Sequence, residues 1–293
     1  MTHVSTIIPA YNAGKYIQEA IESALAQTYR DLEVIVVDDG STDDTRRILD
    51  EFAGRVTVLR QENQGRAAAC NAGAAMARGE WIAFLDADDI WLPTKTQSQL
   101  ERCSTNVMSH TNAWMFGPLL ERELLTKEGD AEYRGRVLEQ LLVANFITGS
   151  SVMVRRDKFL AYGRFDPSYN SVQDWPLWLK ICSEHELGYV DEPLVRYRLH
   201  AEATTRKPRR TLPMHLRVVR EAFGPGGVGA GHTHLRRRAL AHSYGACAMA
   251  AAQAGDWTFA LYAALRALTY DPLAERSWKT AVKACLMPLG IKY

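Results

Sequence analysis

At 293 residues the chain has room for one large domain, or for one domain with an appendage. A hydrophobic fraction of 47% beside 24% charged residues fits an ordinary globular core, and a formal net charge of +1 supplies no global field for nucleic acid. Five scattered cysteines without C-x-x-C spacing exclude a disulfide framework and a zinc site and fit a reducing compartment.

The first ninety residues alternate between two periodicities. Val4 to Pro9 is a compact apolar run that predicts a buried strand. From Lys15 to Gln27, Ile17, Ile21 and Leu25 recur every fourth residue, which predicts an amphipathic helix. Val34 to Val37 is wholly apolar and β-branched, as a central parallel strand requires. Ser41 stands three residues before Asp44, the spacing of a capping box, and a helix is expected from there to about Phe52. Val56 to Leu59 predicts a third strand, Ala67 to Ala77 an alanine-rich helix, and Trp81 to Leu85 a fourth strand. This β-α-β-α-β-α-β order implies right-handed crossovers. The expected fold class is α/β, a mostly parallel open sheet with helices on both faces, plus a C-terminal all-α appendage.

The middle third is less regular. Strands are expected at Asn106 to Phe116, Ser150 to Val154 and Leu194 to Leu199, with helices at Val137 to Val143 and Trp175 to Ser183. A basic stretch from Arg206 to Arg220 follows, and then a run with five glycines between Gly224 and Gly231, a flexible linker by composition. Leu235 to Leu286 is alanine-rich and predicts two helices divided at Gly255-Asp256, with Asp271-Pro272 ending the second. The expected division is an α/β domain over 1–205, itself in two halves over 1–93 and 94–205, a linker over 206–234 and a helical appendage over 235–293. The N-terminus lacks the pattern of a signal peptide, and no stretch offers the roughly 18 uncharged apolar residues that span a bilayer. The expected location is the cytoplasm.

Asp86-Ala87-Asp88 carries the first chemical signal. Carboxylates at i and i+2 leave a strand end with the same sense, and open α/β sheets place their ligands at such ends. The pair can converge on one hard cation shared with a diphosphate. No G-x-G-x-x-G or P-loop pattern occurs.

Several segments then fall in one order: Ser5-Thr6-Ile7-Ile8-Pro9-Ala10-Tyr11-Asn12, Val36-Val37-Asp38-Asp39-Gly40-Ser41-Thr42-Asp43, Asn63-Gln64-Gly65 with Asn71-Ala72-Gly73, Gly79 to Asp89, and Gln173-Asp174-Trp175. Over roughly residues 3 to 200 the chain resembles the family-2 glycosyltransferases, inverting enzymes with the A-type nucleotide-sugar fold. The resemblance implies a nucleotide-diphosphate sugar donor and a glycan or lipid-linked acceptor, with no nucleic-acid partner. It implies a catalytic domain over 1–205 with a nucleotide-sugar-binding half over 1–93 and an acceptor half over 94–205. It assigns Asp39 to the base, with Pro9, Ala10, Tyr11 and Asn12 shaping that pocket and Asn71 near the nucleotide; Arg66, one turn before Cys70, is placed to reach where the family's arginine lies. It gives Asp86 and Asp88 to a Mg²⁺ or Mn²⁺ ion, Asp88 as the firmer ligand and Asp86 near the ribose or reaching the ion through water, with Ala87 beside the donor and His200 near the metal. It makes Asp174 the general base, and it puts Trp175, Gly149 and Ser150 at the acceptor.

Plainer readings stand beside these. Asp39-Gly40 also makes a turn, and Ser171 to Asp174 is also a capping box with Pro176 in the first helical turn. Two departures from the family pattern are visible: Gln173 where a glutamate is usual, and Cys70 where an arginine is frequent. Rival functions are a metal-dependent phosphohydrolase or nucleotidyltransferase, and a catalytically silent module that binds nucleotide sugars. In the tail, the basic runs with Trp278, Lys279 and Lys283 leave two readings open: a peripheral contact with the inner face of the membrane, or a solvated basic surface.

Overall fold

The computed structural model describes residues 3–120, 122–126, 133–273 and 275–286. The apolar runs form a sheet of parallel neighbours, β1 (Val4–Ala10), β2 (Leu32–Asp38), β3 (Thr57–Arg60) and β4 (Trp81–Phe84), joined by α1 (Ile17–Leu25), α2 (Thr45–Glu51) and α3 (Arg66–Met76). All seven residues of β1 are buried, which fits a central strand covered on both faces. Ile17, Ala20, Ile21 and Ala24 of α1 are buried on the face that the fourfold apolar spacing marks out.

The sheet continues through β5 (Ile90–Trp91), β6 (Met108–Phe116), β7 (Leu124–Leu125), β8 (Met153–Arg155) and β9 (Leu187–Arg198). Its order is β3-β2-β1-β4-β8-β6-β9-β5, with β7 on β6. The sheet is therefore mixed, less parallel than the sequence implies. The chain enters β8 from a 3₁₀ turn at Gly149–Ser151, level with the C-terminal end of β4, so β8 must run back against β4. Strand β6 then pairs antiparallel to β8 and parallel to β9.

Two helices between these strands, α4 (Lys95–Cys103) and α6 (Arg156–Ala161), lack a clear sequence signal. The helix α4 buries Lys95, Thr96, Ser98 and Gln99, polar side chains that conceal its inward face. Short α6 follows β8, and α7 (Trp175–Glu184) begins where expected. Neither capping box forms: Ser41 makes no cap for α2, and at α7 the capping side chain is Asp174 itself.

Two compact units emerge. One holds Met1–Val137 and Phe146–His200; the other holds Leu138–Asn145, which carries α5 (Leu138–Val143), and Ala201–Tyr293. In the second unit, the stretch expected to be a flexible linker contains α8 (Pro208–Ala222), opened by a proline in its first turn. Leu212, Val218, Val219 and Ala222 are buried at helical spacing, a periodicity masked by the arginines between them. Beyond it lie three helices rather than two, α9 (Arg236–Gln253), α10 (Trp257–Tyr270) and α11 (Glu275–Leu286). Tyr244, Cys247, Ala248, Ala263, Ala264, Ala267 and Ala281 form their core, small residues that let the helices approach closely. No helix among the described residues is long and apolar enough to cross a membrane.

One glycine fixes how α3 lies on the sheet. A Cβ on Gly73 would meet Ile7 Cγ2 at 2.6 Å and Val37 Cγ2 at 3.2 Å, both fully buried. Gly73→Ala is expected to cost roughly 1–3 kcal/mol by overpacking. The check is a lower denaturant midpoint at an unchanged slope.

Candidate functional site

The C-terminal ends of β1, β2 and β4 lie side by side and deliver Ala10, Asp38 and the Asp86-Ala87-Asp88 turn to one edge of the sheet. Pro9 and Ala10 are buried there, while Tyr11 is 52% exposed with its ring open to the edge. Asn12 takes a positive φ of 49°, tolerable for asparagine. Its side-chain oxygen accepts from Thr42 N at 2.8 Å, and its own N–H donates to Ser41 Oγ at 3.0 Å. Ser41 thus ties two loops together, which is why it does not cap α2.

Asp39 is 2% exposed, and its carboxylate is already engaged. Oδ1 accepts from Gln61 Nε2 at 2.7 Å and Gln64 N at 2.9 Å, and Oδ2 from Gly65 N at 2.8 Å. The acceptor expected for a base therefore also holds the loop before α3. Its second oxygen keeps a lone pair beyond the one bond to Gly65.

At the end of β4, Arg66 donates through Nε to Asp86 Oδ1 at 2.7 Å, with Nη2 at 2.6 Å from the same oxygen. Burial works against the guanidinium's charge, but the charges of Asp86, Cys70 and Asp174 and the hydrogen bond to Asp86 together outweigh it and hold the arginine more firmly protonated than usual. Gly149 adjoins this pair: a Cβ there would sit 3.2 Å from Arg66 Nη2 and 3.8 Å from Asp86 Oδ2. Asp88 points elsewhere, its Oδ2 lying 2.9 Å from His200 Nε2. Burial, and then the negative charge of Asp86, push the Asp88 carboxyl up, against the pull of His200. The His200 ring packs on Tyr16 at 5.2 Å.

Three residues that the sequence did not single out support this turn. Asp89, 1% exposed, accepts from Ser150 Oγ and, at 2.8 Å, from Arg198 N. Arg198 donates to the Asp88 carbonyl at 2.7 Å while its guanidinium stacks over Tyr16 and Phe116. Trp91 Nε1 donates to the Ser150 carbonyl at 2.7 Å. Burial and the charges of Asp88 and Asp86 push the Asp89 carboxyl well above the ordinary range. Ser150, expected at the acceptor, is fully buried, and its hydroxyl accepts from Asp86 N at 3.0 Å. It braces the Asp86–Asp88 turn, and its neighbour Gly149 is the one that adjoins the Arg66–Asp86 pair.

Asp174 caps α7, accepting from Trp175 N at 2.9 Å. Val172, two residues earlier, is held at φ 51°, an unusual conformation for a β-branched residue that costs on the order of 1–3 kcal/mol. Trp175 N also donates to the Val172 carbonyl at 3.1 Å, which closes that turn. The turn brings Asp174 to the others. Burial pushes the Cys70 thiol up to about 12, and beside Arg66 the charges of Asp86, Asp174 and Asp39 act on it. Charges from three separate strand and helix ends thus act on one buried position of α3.

Two expected contacts belong to the fold instead. Asn71 spends both ends of its amide on the backbone of Phe165, at 2.7 and 3.1 Å, and so anchors a loop where a nucleotide contact was expected. Trp175 is 1% exposed, so its indole faces meet protein and the expected stacking on an acceptor gives way to a core role. Both exchanges have one cause. Residue type reports what a side chain can bond, and the local turn decides what it meets first.

Fold and carboxylate-lined edge together define the class of this protein, a glycosyltransferase. The family model described as "Glycosyl transferase family 2" matches residues 5–162, and the chain belongs to that family. An uncharacterized glycosyltransferase of Rickettsia prowazekii is 32% identical over 69% of this chain and 65% of its own length. A chondroitin synthase of Escherichia coli is 31% identical over 77% of the chain but only 33% of itself. The chain thus spans between about a third and two thirds of these curated relatives. Among solved structures, a mannosyltransferase of Pyrobaculum calidifontis in complex with GDP-Man and Mn²⁺ superposes with a TM-score of 0.64 at 19% identity, covering 98% of this chain and 87% of that one. The S. aureus TarS 1-349 complex with UDP-GlcNAc gives 0.60 at 16% identity, covering 99% and 93%. At such identities the likeness is one of fold.

Proposed function

We propose that the chain is a metal-dependent inverting glycosyltransferase, moving a sugar from a UDP-linked donor to a hydroxyl of a glycan or lipid-linked acceptor in bacterial surface polysaccharide assembly. The observation that carries this reading is that Asp39, bound to Gly65 N at 2.8 Å, and Asp86, paired with Arg66 at 2.6–2.7 Å, both meet the start of α3, while Asp174 caps the first turn of α7. One carboxylate can meet a base, one can face a diphosphate, and one stands apart from both at a helix start. The cytoplasm suits a chain whose five cysteines are free, four of them buried.

A divalent ion fits the residues at the β4 turn. Asp86 and Asp88 offer hard oxygen donors, and their mutual repulsion, visible in the raised Asp88, is the kind a dication relieves. Among the described residues no three His, Cys, Asp or Glu side chains form a ready cage. Mg²⁺ or Mn²⁺ in nucleotide sites is commonly held by one or two carboxylates and completed by substrate phosphates and water. Asp88 is the ligand, oriented by His200. Asp86, already paired with Arg66, lies toward the ribose or acts through water. When bound, the ion would neutralise the departing diphosphate. Tyr11 lies open for the base beside Asp39, and Asp174 would take the proton of the acceptor hydroxyl as the anomeric carbon is attacked in line.

Nucleotide release across a panel of UDP- and GDP-sugars, with and without glycan acceptors, tests the reading. Release of UDP that rises with acceptor is expected. Release of inorganic phosphate or pyrophosphate would mark a phosphohydrolase or nucleotidyltransferase. Binding of UDP without turnover of any donor would mark a silent module.

A further inference from the structure

The charges of this chain are segregated between its two units. Residues 1–137 and 146–200 carry 21 Lys and Arg against 28 Asp and Glu, while residues 138–145 and 201–293 carry 14 against 6. A net charge of +1 is therefore the sum of an acidic unit at −7 and a basic helical unit at +8. Asymmetry of this kind points to a polyanionic partner for the basic part.

The same unit exposes apolar side chains on α10 and α11; residues 257–286 carry four Lys and Arg against two Asp and Glu, while nine of the unit's basic residues lie over 206–238. Tyr262 and Leu265 on α10, Leu273 in the following turn, and Trp278 and Val282 on α11 are all exposed, Leu273 at 90%. On α11, Trp278 and Val282 stand one helical turn apart, and Lys279 and Lys283 stand in the adjacent row, which Glu275 begins with an exposed ion pair to Lys279 at 2.6 Å. Ser277, Thr280, Ala281 and Ala284 occupy the buried face, so the apolar and cationic rows share the outward one. Trp278 is half exposed, yet its Nε1 donates to the Pro272 carbonyl at 2.8 Å. The one polar atom of the ring is satisfied inside the hairpin, and only ring carbon meets the surroundings. Beside α11, Trp257, Leu261, Tyr262 and Leu265 of α10 line a groove of about 350 Å³ that Ala284 closes.

We propose that this face is a docking surface for an anionic lipid bilayer. Trp278 and Val282 enter the headgroup region, while Lys279 and Lys283 pair with lipid phosphates. Amphipathic helices with an aromatic or aliphatic row beside a lysine row lie in the plane of such an interface. A nucleic-acid backbone would satisfy the charge but leave the apolar row in water. The inference does not depend on which donor or acceptor the catalytic unit uses.

Co-sedimentation of the full chain with phosphatidylglycerol–phosphatidylethanolamine vesicles is the test, with pure phosphatidylcholine vesicles as control. Binding to the anionic vesicles at low salt is expected, at least tenfold weaker at 0.5 M salt, as screened surface charges require. The double variant K279E/K283E is expected to lower vesicle affinity about tenfold or more with nucleotide release unchanged, since both side chains lie on the exposed face. Quenching of tryptophan fluorescence by brominated lipid chains is expected in the parent chain and reduced in Trp278→Phe. The proposal is overturned by absence of binding to anionic vesicles at low salt, or by a charge-reversal variant that binds as well as the parent. Duplex DNA that competes as effectively as vesicles would also overturn it, in favour of a general polyanion site.

Discussion

Asp174→Asn is expected to lower kcat by about 10²-fold or more with donor affinity nearly unchanged, because general-base assistance contributes roughly 10²–10⁴-fold. The variant is informative because Asp174 has two occupations in the structure. Its Oδ1 caps α7 through Trp175 N at 2.9 Å, and its charge reaches Arg66 and Cys70. Asparagine is among the best N-cap residues, so the capping bond survives the exchange while the ability to take a proton does not. Folding and catalysis are thereby separated at a single oxygen. If kcat stays within a few-fold and only the melting temperature falls, Asp174 is a cap and no base. The same assignment predicts stereochemistry: an α-linked donor gives a β-linked product, read from the anomeric proton of the product by NMR.

Much of the catalytic half was legible because its signals are local. The wholly β-branched Val34 to Val37 can hardly be anything but a covered strand, and the alternation of such runs with apolar fourfold repeats dictates parallel pairing of β1 to β4. The reversal at β8 was hidden, since strand direction depends on where a connection ends, and nothing in Ser150 to Val154 encodes that. Buried polar side chains hid α4 in the same way that arginines hid α8. At the site, residue types marked Asp39, Asp86, Asp88 and Asp174, whose chemistry is intrinsic. Their supports were invisible because Asp89, Arg198 and Trp91 act through backbone partners far away in the chain, such as the bond from Arg198 N to Asp89 across 109 positions. For the same reason Asn71, Ser150 and Trp175 read as site residues. Asn71 and Ser150 have the right functional groups but are committed to tertiary partners, and Trp175 is buried, none of which periodicity can reveal.

Chelation should have the other large effect. Exhaustive removal of divalent ions with EDTA is expected to abolish transfer, and Mn²⁺ or Mg²⁺ to restore it. Loss of a preorganised electrostatic contact to a leaving group typically costs about 10²–10³-fold in kcat. The two aspartates should not respond alike. Asp86 already shares its Oδ1 with both Arg66 Nε and Nη2, so part of its charge is spent within the protein. Asp88 faces His200 instead, with its carboxyl raised by burial and by Asp86, and it gains most from a cation. Asp88→Asn is therefore expected to remove the metal-dependent part of UDP binding, measured by calorimetry with and without Mn²⁺. Asp86→Asn should weaken UDP binding in both conditions by freeing Arg66. His200→Gln keeps a donor for Asp88 and should retain metal-supported binding at reduced affinity, as expected of a residue that orients a ligand and does not replace it. Full activity after exhaustive metal removal would sink the metal assignment and leave Arg66 as the cation that faces the diphosphate.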